Sequence, residues 1–314
     1  MKEDKIKISL VIPILNEEES LPFLKEELDL LLHRLEDYEF EFILVDDGSS
    51  DQSQAVIKSF SREEAYHYII FSRNFGKESA MLAGLHYASG QIIGLMDADL
   101  QHSPQMIPQM LDALVHEGYD VAAAKRSKRI PQNKTYNVLA EWFYKLINRF
   151  SDNVQIEEGS QDFRLMKRPV VDALLALEER KRFSKGLFAW VGFKTKWFEV
   201  EDLSRVAGKS KFNFFSSFGY AMDGIISFSI VPLRLSFLLG GVIALIGIIY
   251  ALYIILETLL YGGDVPGYPS LMSGILIIGG LILFSLGVIG EYLARIYEEA
   301  KKRPHFVVKE YSRK

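Results

Sequence analysis

Gln91-Ile92-Ile93-Gly94-Leu95-Met96-Asp97-Ala98-Asp99-Leu100-Gln101 is the stretch on which the reading of the fold turns. An apolar run of one-strand length ends on two carboxylates one residue apart. In open α/β sheets, ligands bind beyond the carboxyl ends of the strands. Carboxylates at such a tip suit a hard divalent cation, which takes oxygen ligands and shares them with substrate phosphate. The plain alternative is an acidic turn ahead of a helix starting near Pro104, with Ser103 as its N-cap.

On both sides of this stretch the same pattern repeats. Ile8 to Ile14, Phe40 to Val45, Tyr66 to Phe71 and Asp120 to Ala124 read as further buried strands. Helical spacing runs over Glu17 to Leu35, Asp51 to Phe60, Glu78 to Ala88 and Pro104 to His116. Strands alternating with helices predict an α/β fold with a doubly wound, mostly parallel sheet. The strand tips collect polar residues: Asn16-Glu17, Asp46-Asp47, Arg73-Asn74 and Asp97-Ala98-Asp99. Asp47-Gly48 alone would pass for a hairpin turn, and Arg73 and Lys77 could equally flank a helix start. Downstream, Lys128 to Asn133 reads as a loop, Thr135 to Phe150 as a helix, and Trp190 to Val200 as one or two strands.

The chain has 314 residues, a net charge of −5 and no cysteine. Disulfides, thiolate catalysis and thiolate metal sites are thereby excluded. The absence of a dominant basic stripe argues against nucleic acid as a partner. Neither G-x-G-x-x-G nor a Walker loop is present, which argues against a dinucleotide enzyme or an NTPase. The histidines show no metal-ligand spacing, and Met1-Lys2-Glu3-Asp4-Lys5 has no signal-peptide pattern.

The last third is different in kind. Leu235 to Leu256 and Pro269 to Gly290 are uncharged runs, each long enough to cross a hydrocarbon core of about 30 Å as a helix. The intervening Glu257 to Tyr268 carries no Lys or Arg, whereas Arg234 precedes the first run and Arg295, Lys301, Lys302 and Arg303 follow the second. The positive-inside rule puts both ends in the cytoplasm, in a plasma or inner membrane. Phe212 to Val231, rich in Phe, Tyr and Ile, reads as interfacial helices; a third span is the alternative. The expected domains are a catalytic domain over 1–211, interfacial helices over 212–234, a two-helix hairpin over 235–293 and a cytoplasmic tail over 294–314.

Taken in order, Pro13-Ile14-Leu15-Asn16-Glu17-Glu18, Val45-Asp46-Asp47-Gly48-Ser49 and Asp97-Ala98-Asp99 resemble the family 2 glycosyltransferases of GT-A fold. Phe71-Ser72-Arg73-Asn74-Phe75-Gly76-Lys77-Glu78, Asp97 to Gln101, Ser160 to Met166 and Arg205 to Phe212 extend the resemblance to the polyprenyl-phosphate glycosyltransferases. That group takes in dolichyl-phosphate mannose synthase and the bacterial undecaprenyl-phosphate glucosyltransferases. The two apolar runs are similar to the bacterial branch.

The resemblance implies a donor site at Pro13, Leu15, Glu17, Asp46, Arg73, Lys77 and Asp97, with Glu17 and Asp46 toward the nucleoside and Asp97 toward the sugar. It implies Asp99 and Gln101 as ligands of Mg2+ or Mn2+, Asp162 where the acceptor approaches, and Arg205, Ser210 and Lys211 on the lipid phosphate. The expected activity is inverting transfer of one sugar, glucose by preference and from UDP, to undecaprenyl phosphate. Asp97 and Asp162 are the expected catalytic residues, and a homo-oligomer, a tetramer by likeness, is the expected assembly. Mannosyl transfer from GDP-mannose is the alternative within the family. Outside that chemistry stands a non-catalytic sugar-nucleotide sensor or flippase scaffold. A processive polysaccharide synthase would need further spans and a Gln-x-x-Arg-Trp motif, which the chain lacks.

Overall fold

β1 (Lys7–Ile14), β2 (Glu39–Asp46), β3 (Tyr66–Phe71) and β4 (Ile92–Leu95) are almost continuous runs of Val, Ile, Leu and Phe. Strands covered by helices on both faces need such runs, because neither face meets water. In this computed structural model, which describes residues 5–126, 155–200, 231–261 and 267–312, these strands form the centre of one sheet. The order is β7-β5-β6-β4-β1-β2-β3-β8, with β5 at Val121–Arg126, β6 at Ser160–Lys167, β7 at Thr195–Val200 and β8 at Val308–Tyr311. Neighbouring β1, β2, β3 and β4 run parallel, as do β5 and β7, while β6 and β8 run antiparallel to their neighbours. The mostly parallel α/β sheet expected from sequence is therefore present, with antiparallel insertions.

The crossovers are α1 (Leu21–Arg34), α2 (Ser53–Phe60), α3 (Lys77–Tyr87) and α4 (Ile107–Val115), the last preceded by a 3-10 turn at Pro104–Met106. Two short helices follow β6: α5 (Arg168–Leu175) and α6 (Ser184–Trp190). Leu21, Leu24, Leu28 and Leu31 on one face of α1 join Leu10, Ile12, Phe42 and Leu44 in the main core. Each such side chain contributes about 1.5–3 kcal/mol by leaving water. Helix α1 starts at Leu21 and not at Glu17; the N–H groups of Glu17 and Glu18 ahead of it donate to Ser53 Oγ (2.9 Å) and Asp51 Oδ2 (3.2 Å). The expected strands over 190–200 prove to be one strand, β7, preceded by the end of α6.

The register levels the strand tips. Ile14 lies beside Asp46, and Asp46 beside Ile70. Val11 lies beside Leu95, and Met96 N donates to Val11 O (3.1 Å), so β4 ends just ahead of Asp97. On the other side of β4, Leu95 lies opposite Arg164, which carries Asp97 toward Asp162.

The described residues fall into two units. One holds the whole sheet. The other holds α7 (Val231–Tyr261) and α8 (Tyr268–Ala300), of 31 and 33 residues. At about 1.5 Å per residue each helix exceeds a hydrocarbon core of about 30 Å. The segments Leu233–Glu257 and Ile277–Ala300 are long and apolar enough to cross a membrane. The chain leaves the sheet unit before α7 and returns to it after α8, where β8 pairs with β3. The expected helix over 135–150 and the interfacial segment up to residue 230 lie outside the described residues.

Candidate active site

The loops that follow β1 and β2 are tied into one wall. Asn16 Oδ1 accepts from Ser50 N (2.8 Å), Asn16 N donates to Ser49 Oγ (2.9 Å), and Gln52 N donates to Glu18 Oε2 (2.8 Å). Asn16 holds a left-handed φ of 53° to do so. Left-handed backbone in a non-glycine residue is strained and persists where its surroundings enforce it. Glu17 points its carboxylate back to Ser20 Oγ (2.9 Å), and Pro13 and Leu15 are half-buried beside this wall.

Asp46 is fully buried at the tip of β2. Its Oδ1 accepts from Gly48 N (3.1 Å), Ser49 N (3.0 Å) and Gln54 Nε2 (3.0 Å), while its Oδ2 has no hydrogen-bond partner among the described residues. A buried carboxylate oxygen left unpaired costs free energy unless something donates to it. An imide N–H of a nucleobase is such a donor. Asp47, adjacent in sequence, does a different job: its two oxygens accept from Phe75 N (2.6 Å) and Gly76 N (2.9 Å) and so fix the loop that starts α3. Burial pushes the Asp47 carboxyl up, against those two N–H groups. Gly48, with φ of +73°, lets the Arg73-Asn74 backbone approach where a Cβ would lie 2.5 Å from the Arg73 carbonyl carbon.

Lys77, the first residue of α3, draws two carboxylates together. Its Nζ lies 2.7 Å from Asp97 Oδ1 and 2.6 Å from Asp162 Oδ2. Burial works against its charge, but Asp162 and Asp97 outweigh that and hold its pKa well above the ordinary lysine value. For Asp162, burial works to raise the pKa, but Lys77, Lys185 and Arg164 hold it well below the usual carboxylate range. Asp162 therefore stays ionised at neutral pH and is a poor proton acceptor. Arg73 engages its own loop: a guanidinium N–H donates to Asn74 O (2.8 Å), and the group lies 3.9 Å from the Phe75 ring centroid.

Three residues of this cluster escaped the sequence reading. Arg164 is only 2% exposed; it donates to Gln161 O (2.6 Å) and lies 3.5 Å from the centroid of the Phe188 ring. Burial lowers its pKa to about 10, despite Asp162 and Glu78. Glu78 accepts from the Ser184 hydroxyl and from Ser184 N, tying α6 to α3; burial raises its pKa. Lys185 is pushed down by burial, which Asp162 opposes and which Lys77, Arg164 and Arg126 reinforce. For Arg164 the signal in sequence was a charge beside Phe163, a position that otherwise reads as core; Glu78 and Lys185 carried no such local signal. Around Asp162 the basic groups Lys77, Arg164 and Lys185 face the carboxylates of Asp162, Asp97 and Glu78, so cations and anions alternate through the cluster.

Asp99 and Gln101 follow Asp97 in the turn beyond β4. Asp99 Oδ1 accepts from Gln101 N (3.2 Å), and Leu100 between them holds a left-handed φ of 56°. No group of three or more His, Cys, Asp or Glu able to hold a metal occurs among the described residues. The donor set still fits Mg2+ or Mn2+, which bind through one or two carboxylates and complete their shell with phosphate and water. Asp99, with the Gln101 amide oxygen, would hold the ion; one Asp97 oxygen is already engaged by Lys77. His102 stacks on Phe163, ring centroids 5.7 Å apart, as a structural residue of this turn. Arg205, Ser210 and Lys211 lie outside the described residues.

The sequence matches the family described as Glycosyl transferase family 2 over residues 9–175 and the GtrB C-terminal hairpin over residues 231–296. An uncharacterised glycosyltransferase of Synechocystis is 43% identical over 96% of this chain and 95% of its own. The prophage bactoprenol glucosyl transferase homolog of Escherichia coli K12 is 41% identical over 97% of this chain and 99% of its own. The bactoprenol glucosyl transferase of Shigella phage SfV is 42% identical over 98% of this chain and all of its own. Among solved structures, glucosyl-3-phosphoglycerate synthase from Mycobacterium tuberculosis, in complex with Mn2+, UDP-glucose and phosphoglyceric acid, aligns with a TM-score of 0.47. It is 18% identical, over 70% of this chain and 78% of that one.

Proposed function

The chain belongs to glycosyltransferase family 2, and on that premise we propose that it moves glucose from UDP-glucose to undecaprenyl phosphate at a membrane. The observation that carries the proposal is the Asp97–Lys77–Asp162 bridge, with Arg164 and Lys185 beside Asp162 and Asp99 two residues beyond Asp97. The relatives named as bactoprenol glucosyl transferases support glucose over mannose and a lipid phosphate over a soluble acceptor. Intact carboxylates at positions 46, 97, 99 and 162 support catalysis over sensing.

The acceptor's phosphate monoester has a second pKa of about 6 and is mostly a dianion at pH 7. One of its oxygens attacks the anomeric carbon, the bond from that carbon to the diphosphate oxygen breaks, and UDP leaves. Attack opposite the leaving group turns the α-linked donor into a β-linked product. No proton has to be removed, so Asp162 is kept ionised by Lys77, Lys185 and Arg164 and orients charge instead of acting as base. These cations relieve repulsion between two anionic substrates, with Arg205, Ser210 and Lys211 assigned to the lipid phosphate by resemblance. Asp99 and the Gln101 amide oxygen would hold a divalent cation, which would supply Lewis-acid neutralisation of the leaving diphosphate. Asp46 Oδ2 receives the uracil imide N–H, with Glu17, Pro13 and Leu15 lining the nucleoside side and Arg73 the donor side.

In this reading α7 and α8 cross the membrane as a hairpin. Both of its ends connect to the sheet unit, which supports an even number of crossings. Lys301, Lys302 and Arg303 follow α8, which supports a cytoplasmic catalytic domain and cytoplasmic termini. Gly240-Gly241 and Gly279-Gly280 permit close helix packing, which supports a homo-oligomer, with the tetramer as its working form. The test is transfer of labelled sugar into the organic phase from UDP-glucose, UDP-galactose, UDP-N-acetylglucosamine and GDP-mannose, each with undecaprenyl phosphate and Mg2+ or Mn2+. Transfer from UDP-glucose well above the others is expected. Preference for GDP-mannose, or no transfer from any donor, overturns the proposal.

A further inference from the structure

The loop that delivers Lys77 is gripped from two sides. Asp47 holds it from within, through the N–H groups of Phe75 and Gly76. The other grip comes from the far end of the chain. Ser72 N donates to Val307 O (2.9 Å). The Phe306 ring stacks on Phe71 at 5.1 Å and 7°, and Phe71 in turn meets Phe75 edge-on at 5.8 Å and 89°. An unbroken contact path therefore runs from Phe306 through Phe71 and Phe75 to Gly76 and Lys77, and from there to Asp97 and Asp162. Beyond this point β8 is fastened along β3: Glu310 takes Lys58 Nζ (2.6 Å) and Tyr68 OH (2.8 Å), and Ser312 Oγ accepts from Tyr68 N (2.8 Å). Only residues 301–305 separate Phe306 from the end of α8.

We propose that Phe306 and Val307 are positioning residues for transfer: the segment returning from the apolar hairpin sets the loop that holds Lys77 between Asp97 and Asp162. An edge cap added solely for stability would need the ladder and Glu310. It would not need a ring stacked on the residue that enters the active-site loop. The carboxylates tolerate little displacement, since misplacement of reacting groups by about 1 Å can cost 10²-fold in rate. The inference rests on the reading that the Lys77 cluster is where transfer happens.

The test uses the full chain in detergent micelles with UDP-glucose, undecaprenyl phosphate and Mn2+, and compares turnover per folded enzyme in four variants. Phe306→Ala is expected to lower kcat about tenfold with the KM for UDP-glucose changed less than about twofold. Phe306→Leu, which keeps apolar bulk without the ring stack, is expected to fall between that variant and the wild type. Glu310→Gln loosens the same strand at its far end; it is expected to lower the melting temperature and leave kcat unchanged. Asp99→Asn reports on the site itself. If Phe306→Ala does not fold, Phe306→Leu carries the test, with a kcat below that of Glu310→Gln. Wild-type kcat in the Phe306 variants, or equal losses in the Phe306 and Glu310 variants, overturns the proposal while an inactive Asp99→Asn leaves the site reading in place. An active Asp99→Asn overturns the site reading.

Discussion

Leu10, Ile12, Phe42 and Leu44 in the sheet unit are shut away from solvent, whereas in α7 Phe237 is 84% exposed and Leu259 77%. The same kinds of residue lie inside one region and outside the other. The sheet unit follows the rule for water: apolar strands within, with charge gathered at one row of strand tips. The two helices follow the rule for hydrocarbon, in which an apolar exterior is the stable one and backbone polar groups are satisfied within the helix. One chain is thus built for two solvents, as a reaction between a water-soluble donor and a lipid acceptor requires.

The largest expected effect comes from the charged row. Asp99→Asn should lower turnover by about 10²- to 10³-fold, the scale of losing one preorganised electrostatic partner at a developing charge. A titration of Mn2+ against rate should show weakened cation dependence at the same time. Retention of wild-type turnover and metal affinity would remove Asp99 from the polar end of the comparison. Next is the apolar exterior. Ile248, 59% exposed on α7, replaced by Lys should cost about 2.5–3.5 kcal/mol of membrane insertion. Fractionation of cells should show the variant shifted out of the membrane, with the ultraviolet circular dichroism of the sheet unit preserved. Equal membrane partition would indicate that this face does not meet lipid.

A third prediction concerns charge buried for stability. Glu41 is 3% exposed, accepts from Ser9 Oγ (2.5 Å), Ser89 N (2.6 Å) and Ser89 Oγ (2.8 Å), and pairs with Lys7 at 3.2 Å. Burial works to raise its pKa, but these partners hold it down to about 2, against an ordinary 4.5. A depressed carboxylate stabilises the fold above its unfolded pKa and loses that contribution as pH falls through the folded one. Glu41 should therefore contribute about 3 kcal/mol above pH ~4.5, fading toward pH ~2. Glu41→Gln should flatten the acid limb of a melting-temperature profile; an unchanged slope would contradict the assignment. The smallest effect should be at the surface. Lys196→Ala, which removes an ion pair with Glu117, should cost under about 1 kcal/mol in chemical denaturation and leave turnover unchanged.

The strands from β1 to β5 were legible because burial on both faces demands unbroken apolar runs. Their tips were legible because Asp46, Asp97 and Asp99 end those runs abruptly. The ion pairs of Lys77 were not, since a lysine at a helix start reads equally as a solvated charge. β6 hid because Asp162 and Arg164 interrupt its apolar pattern, and the buried Arg164 has a partner, Phe188, on a later helix. β8, Val-Lys-Glu-Tyr, reads as a polar tail; its partners on β3 lie more than two hundred residues earlier in the chain. Pairings of such long separation leave no local pattern. Lys185 and Glu78 were missed for the same reason: only the fold brings α6 onto α3.

The most direct measurement is UDP release by the full chain in lipid vesicles containing undecaprenyl phosphate, with the acceptor and the divalent cation each withheld in turn. The account predicts release only when both are present, matched mole for mole by a β-linked lipid-phosphate sugar. Release of equal rate onto water or a free sugar, without the lipid, would contradict it.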